Sequence, residues 1–307
     1  MPEYLGRKPI VFLIAGTLPI KDMPLITGVV ERNGVDLTVD GHCFGGTQGT
    51  GALIGAALAT THYLGIDPPH ALVAGDIGRG KGSLAIYEYL AKNLPDMLPD
   101  VLVMHYILPD MARMRSVCDA ADRCKKKPLM IADAASMYAA KTAGIARRFD
   151  VFTPDLVELG FMADPEATHP AYIADHLFDA DTGRVPDLIE SAYHQNSAPN
   201  LLLVKGSTDY IVIEGHILET VREPNVPALE AIGGTGDTIT GILAALLDAE
   251  LEPHEAAIIA AKANRMAGQF VQASPATKIS QIIEQLPAVF KAHLCAWSGV
   301  CCINYVK

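Results

Sequence analysis

The chain has 307 residues, half of them hydrophobic and 19% charged, which is enough apolar material to bury a large core. A formal charge of −11 and a pI of about 5.3 exclude a duplex-binding protein, because Lys125-Lys126-Lys127 is the only basic run available to neutralise phosphates. No apolar run reaches membrane-spanning length and the first residues lack a signal-peptide pattern, so a cytoplasmic protein that binds neither membrane nor nucleic acid is expected.

Aromatic residues make up only 6% of the chain, and a core rich in Ala, Leu, Ile and Val suits helices packed on buried parallel strands. From the N-terminus, residues 10–14 form a short apolar run that ends at Ala15-Gly16-Thr17. Gly45-Gly46-Thr47-Gln48-Gly49-Thr50-Gly51 then opens an Ala/Leu-rich helix over residues 51–63. Residues 71–74 are the next apolar run, closed by the loop Gly75-Asp76-Ile77-Gly78-Arg79-Gly80-Lys81-Gly82-Ser83 and a helix over 83–93. That loop reads G-x-x-x-x-G-K but has Gly82 where a P-loop needs a magnesium-binding hydroxyl. It is therefore either a phosphate-approaching loop of another kind or a flexible basic turn.

Apolar runs at 101–104, 128–132, 151–152 and 201–204 alternate with helices predicted over 111–124 and 136–147. Runs apolar on both faces are what central parallel strands require. Glu214-Gly215 marks a hairpin between residues 210–213 and 216–220. Helices over 238–249 and 253–272 close the pattern, and residues 294–307, with Trp297 and three of the six cysteines, fall outside it as a tail. No C-x-x-C pair occurs, and all six cysteines are expected as free thiols. Strand–helix alternation without a linker or repeat predicts one α/β domain over residues 1–307, with a mainly parallel sheet covered by helices on both faces. Very apolar helices at 51–63 and 253–272 suggest a homo-oligomer.

The sharpest chemical signal is Gly233-Gly234-Thr235-Gly236-Asp237-Thr238 at the start of a helix. Backbone amides and the helix dipole there favour a phosphate, with the hydroxyls of Thr235 and Thr238 as further donors. Asp237 would repel that phosphate, so it is either a general base facing the reacting group or a helix cap. Three glycine loops that each follow a strand and precede a helix are expected at one edge of the sheet, where such folds bind ligands.

Several of these segments resemble the ribokinase-like superfamily, and within it the carbohydrate-kinase-type family that includes the NAD(P)H-hydrate dehydratases. The resemblance rests on Gly233–Asp237 with Gly241, on Leu203-Val204-Lys205-Gly206, on Thr153-Pro154 with Glu158, and on Ala132-Asp133-Ala134. Gly75–Gly80 loosely resembles the family's G-P-G-L-G loop, and the likeness runs over about residues 45–290. Departures are Asp155 where the dehydratases show His, Ile131 in place of the first Asp of D-A-D-A, and Asp76 in place of the loop's Pro. The resemblance implies a ribokinase-like three-layer sandwich.

It also implies roles. Lys205, Gly206, Gly233, Gly234, Thr235 and Gly236 would bind ATP or ADP, Asp237 would be catalytic, Gly75, Gly78, Gly80, Asp133 and Asp155 would face a small-molecule substrate, and Glu158 would hold Mg²⁺. Read from the residues alone, Lys205 is more simply a strand-end lysine at the surface, and Asp133 and Glu158 are equally acids at helix starts. Three activities follow: an ADP/ATP-dependent NAD(P)H-hydrate dehydratase, a kinase for a vitamin precursor or sugar-like alcohol, or a non-catalytic nucleotide-binding relative.

Overall fold

The computed structural model describes residues 12–167 and 184–298. The strands are β1 (Phe12–Leu18), β2 (Ile26–Asn33), β3 (Asp36–Val39), β4 (His42–Gly45), β5 (His70–Gly75), β6 (Val101–His105), β7 (Leu129–Asp133), β8 (Val151–Phe152), β9 (Leu201–Val204), β10 (Asp209–Ile213) and β11 (His216–Val221). They join in one sheet in the order β11-β10-β9-β8-β7-β6-β1-β5-β2-β3-β4. The six strands from β9 to β5 in this order run parallel, and the five outer strands are antiparallel.

The helices are α1 (Gly49–Leu64), α2 (Lys81–Met97), α3 (Met111–Asp122), α4 (Ala135–Thr142), α5 (Leu156–Ala163), α6 (Val185–His194), α7 (Thr235–Asp248), α8 (Pro253–Phe270), α9 (Ile279–Ile283) and α10 (Leu286–Ser298). They form layers on both sides of the sheet. Phe12 and Ile14 of β1 enter one core with α1, α7, α8, α9 and α10, while Leu13 and Ala15 enter the other with α2 to α6. Each central strand thus buries both faces, which is why these strands read as unbroken apolar runs. The α/β sandwich is the expected one.

Three strands were not anticipated. β2, β3 and β4 extend the sheet beyond β5 through two tight turns, at Gly34-Val35 and at Asp40-Gly41. Asp40 and Gly41 both have positive φ, 48° and 75°, the conformation two-residue hairpin turns favour. Gly16 therefore lies inside β1, and Gly45 ends β4.

The helix at 51–63 is buried along nearly its whole length, whereas that at 253–272 packs one face into the core and leaves Glu255, Gln269 and Phe270 exposed. At Gly241 a Cβ would lie 2.2 Å from the Leu53 carbonyl oxygen, so glycine lets α7 cross close to α1. The C-terminal segment is helical through Ser298, contrary to the tail expected from 294, and Trp297 stacks on His293 with ring centroids 5.2 Å apart. Residues 299–307 lie outside the described residues. Cys43, Cys118 and Cys124 are free thiols, but Cys295 is disulfide-bonded, which corrects the expectation for that residue. No helix among the described residues is long and apolar enough to cross a membrane.

Candidate active site

Neighbouring parallel strands end in polar residues at the same sheet edge. His105 closes β6, Asp133 closes β7 in register with it, and Lys205 follows β9. All three are buried, His105 and Asp133 almost completely. Buried charge must be paired, and here it is. Lys205 Nζ donates to both carboxylate oxygens of Asp133, at 2.9 and 3.0 Å. Thr240 on α7 donates to Asp133 Oδ2 at 2.6 Å and lies 2.9 Å from the hydroxyl of buried Thr153, which follows β8.

The start of α7 lies above this edge. Gly234, with φ +98°, turns the chain into the helix, and a Cβ there would press on Ile279 and Ala52 at 3.1 and 3.2 Å. At Gly236 a Cβ would meet Lys205 Nζ at 3.5 Å. No such crowding is found at Gly233. Asp237, in the first turn, accepts from His105 Nε2 at 3.0 Å and from the Gly49 amide at the start of α1. Burial works to raise the Asp237 pKa, but the hydrogen bond from His105, the Lys205 charge and the Gly49 amide outweigh it and hold the carboxyl below its ordinary value. For Lys205, burial opposes the charge, and Asp133 and Glu158 overcome it, so the ammonium pKa is raised.

A cavity of about 370 Å³, within the size range of small-ligand sites, is bounded by Asp133, Asp155, Glu158, Lys205, Gly206, Gly234, Thr235, Gly236 and Asp237. The structure thus brings most of the predicted site residues together. Asp155 and Glu158 form a reciprocal cap at the start of α5: the Glu158 amide donates to Asp155 Oδ1 and the Asp155 amide to Glu158 Oε2, both at 2.8 Å. Burial and the Asp155 charge push the Glu158 carboxyl pKa well up, against the pull of Lys205.

Two expectations are corrected. The hydroxyls of Thr235 and Thr238 are engaged within the chain, on the Leu229 and Ile232 carbonyls and on the Thr235 carbonyl and Asn264 respectively. The backbone amides of Gly236 and Asp237 in the first helical turn lack helical partners by position. Gly75, Gly78 and Gly80 do not line the cavity. Asp76 Oδ1 instead accepts the amides of Gly78, Arg79 and Gly80 at 2.9–3.0 Å, and Oδ2 accepts the amide and hydroxyl of Ser83. The loop is an anion nest filled by its own carboxylate. Gly75 serves packing, since a Cβ there would lie 2.1 Å from the Ile20 carbonyl oxygen.

Sequence reasoning missed His105 and the buried pair Arg265–Asp209. Arg265 Nε donates to Asp209 Oδ2 at 2.7 Å and its Nη2 donates to the carbonyls of Gly206 and Ser207, bracing the turn after β9. The available signal for His105 was its place: it ends an apolar run as Asp133 does.

The family model described as NAD(P)H-hydrate dehydratase matches residues 114–287, so the glycine loops at 45–51 and 75–83 and His105 lie upstream of the match. An uncharacterized protein of Methanocaldococcus jannaschii, MJ1337, is 40% identical over 242 residues, 79% of this chain and all of that protein. An ADP-dependent (S)-NAD(P)H-hydrate dehydratase of Haloterrigena turkmenica is 28% identical over 190 residues, 61% of this chain and 62% of that enzyme. Among solved structures, the ADP/ATP-dependent NAD(P)H-hydrate dehydratase of Bacillus subtilis, co-crystallized with ATP/Mg²⁺, superposes with a TM-score of 0.55 at 16% identity, covering 95% of this chain and 94% of that one. That likeness extends the ribokinase-like fold over nearly the whole length, and with the family match over more than half of it the chain belongs to the NAD(P)H-hydrate dehydratase family.

Proposed function

We propose that this protein is an ADP- or ATP-dependent NAD(P)H-hydrate dehydratase working as a single domain. The observation that carries the reading is Asp237, an ionised carboxylate in the first turn of α7, facing the cavity with Lys205 beside it. In this reading the amides of the first turn, with Gly233, Gly234, Thr235 and Gly236, receive the nucleotide phosphates. Lys205 offsets their charge. Asp237 accepts the proton of the substrate hydroxyl as its oxygen bonds to the terminal phosphorus of the nucleotide, whose P–O bond breaks to release AMP from ADP or ADP from ATP. Loss of the phosphate together with a ring proton then restores the dihydropyridine. Asp133, tied to Lys205 and Thr240, holds the lysine in place, and Asp155 borders the substrate space.

Magnesium fits the residues present. Glu158 uses Oε2 and Asp155 uses Oδ1 in their cap, so each has a second carboxylate oxygen outside it, and both residues border the cavity. Carboxylates beside phosphates are what Mg²⁺ takes as ligands, and when bound it would neutralise phosphate charge. The closer set His105, Asp133 and Asp237 suits it less, because those atoms already bond one another, Lys205 and Thr240.

Two departures that favoured a non-catalytic relative have structural accounts. Asp76 fills its own loop away from the cavity, and Ile131 is a buried strand residue. The same reading has a small-molecule substrate and a nucleotide as partners, without nucleic acid, in the cytoplasm. It also includes a homo-oligomer, supported by Ile217 and Leu218 exposed on the edge strand β11. The test of function is incubation of the purified protein with hydrated NADH, ADP and Mg²⁺. Recovery of the near-ultraviolet dihydropyridine absorbance is the expected result. Hydrated NADH left untouched while nucleotide is consumed with an added alcohol would make the protein a kinase instead.

A further inference from the structure

His105 is fully buried, yet it touches the reacting carboxylate of the reading above. Its Nε2 lies 3.0 Å from Asp237 Oδ1 and 3.8 Å from Asp133 Oδ2, and its Nδ1 lies 2.9 Å from the Thr50 hydroxyl. A neutral imidazole donates from one nitrogen and accepts at the other. Ionised carboxylates only accept, so the N–H is on Nε2 and points at Asp237. Nδ1 is then the acceptor, and the Thr50 hydroxyl donates to it.

The surrounding backbone accommodates this arrangement. At Gly16 on β1 a Cβ would come within 2.6 Å of the His105 carbonyl oxygen and 2.7 Å of the Thr50 side chain, so only glycine lets α1 bring Thr50 to the ring. The same helix start supplies the Gly49 amide to Asp237. Tyr106 adopts a positive φ of 50°, costly for a residue with a side chain, and sets its ring edge-on against His105 at 4.4 Å. Thr50 and Tyr106 thus hold the His105 ring, while His105 and the Gly49 amide both reach the Asp237 carboxylate.

We propose that His105, fixed in one tautomer by Thr50, is a positioning residue that aims the Asp237 carboxylate at the cavity. The inference rests on Asp237 being the reacting group. The other charged and titratable groups facing Asp237 are Lys205 after β9, Asp133 on β7, Glu158 on α5 and the Tyr106 hydroxyl. Lys205 alone among them helps keep the carboxylate charged, so His105 is the main counterweight to burial.

The test compares His105→Gln, His105→Asn and His105→Leu in the full chain. A Gln amide reaches the place of Nε2 and an Asn amide the place of Nδ1. The expected result is a fall in kcat of roughly 10²-fold for the Asn and Leu variants, substantial recovery in the Gln variant, and little change in ADP binding. The acid limb of kcat/KM moves to higher pH in His105→Leu, because burial then acts on Asp237 without its donor. Equal losses in all three variants, or an unmoved acid limb, would overturn the proposal. A measurement independent of activity is the ¹⁵N signal of the His105 ring. Wild type should show one Nε2–H tautomer, with Nε2 shifted by Asp237→Asn and Nδ1 by Thr50→Val. A ring that averages between tautomers, or that ignores both substitutions, refutes the role. Wild-type protein inert toward hydrated NADH would count against the dehydratase reading, and the ring signal would still decide on His105.

Discussion

Asp237 and Lys205 make the residue-scale argument testable separately. Replacing Asp237 by Asn keeps the shape, and it keeps an acceptor for His105 while removing the base. Nucleotide binding should survive and turnover should fall by about two orders of magnitude or more. Calorimetry with ADP beside a turnover assay reads both quantities. Lost binding would make Asp237 a structural cap. Lys205→Met should act differently. It leaves Asp133 buried without its cation, and removal of one partner of a buried pair costs roughly 3–5 kcal/mol. Thermal denaturation should therefore show a clearly lowered Tm as well as weaker ADP binding. An unchanged Tm would mean that Asp133 is neutral in the fold and that the pair carries no charge.

Elements differ in how far their sequence betrays them. β5 to β9 are covered on both faces, so each is an unbroken apolar run and was legible. β2, β3 and β4 mix Thr, Glu, Arg and Asp with their apolar residues because they leave the helical cover, and only the Asn33-Gly34 and Asp40-Gly41 pairs announce them. The start of α7 was legible since its glycines, amides and Asp237 are contiguous. His105 was not, because its partners Thr50 and Asp237 lie 55 and 132 residues away in the chain. The glycine loop before α2 was misread for a related reason: glycines report backbone freedom, but only the fold shows that Asp76 occupies the nest.

The far end of α7 carries its own prediction. Asp248 ends the helix at the negative pole of its dipole, has an unpartnered buried oxygen, and faces Asp100, Asp67 and Glu250. Burial and these charges raise its pKa to about 6. The folded state thus holds a proton that the unfolded state releases near pH 4, so this residue's contribution declines as pH rises from about 4 through 6. Asp248→Asn should raise the Tm by about 2 °C at pH 7 and lose that gain below about pH 5. A gain that persists at low pH would implicate something other than the charge.

For the whole molecule, charge decides how an anionic ligand is received. The chain carries −11, and the cavity is lined by six carboxylates, Asp133, Asp155, Glu158, Asp209, Glu230 and Asp237, against the cations Lys205 and Arg265. Both cations are already paired, with Asp133 and Asp209. In the proposed reading, a nucleotide approaching from solution therefore meets a repelling field and is attracted only at short range, by the start of α7. Salt separates the two effects, because the Debye length falls from about 30 Å at 0.01 M to about 8 Å at 0.15 M. Screening over that interval removes the long-range repulsion and leaves contacts of about 3 Å almost untouched. Without divalent ions, ADP binding measured by calorimetry should accordingly strengthen as KCl rises across this range. With Mg²⁺ the affinity should be higher throughout and nearly independent of salt, since the ion supplies the cation that Asp155 and Glu158 lack. Binding that weakens steadily with salt would show that the ligand meets a basic surface, as phosphate-neutralising proteins present, and affinity indifferent to Mg²⁺ would remove Glu158 from any metal-binding role.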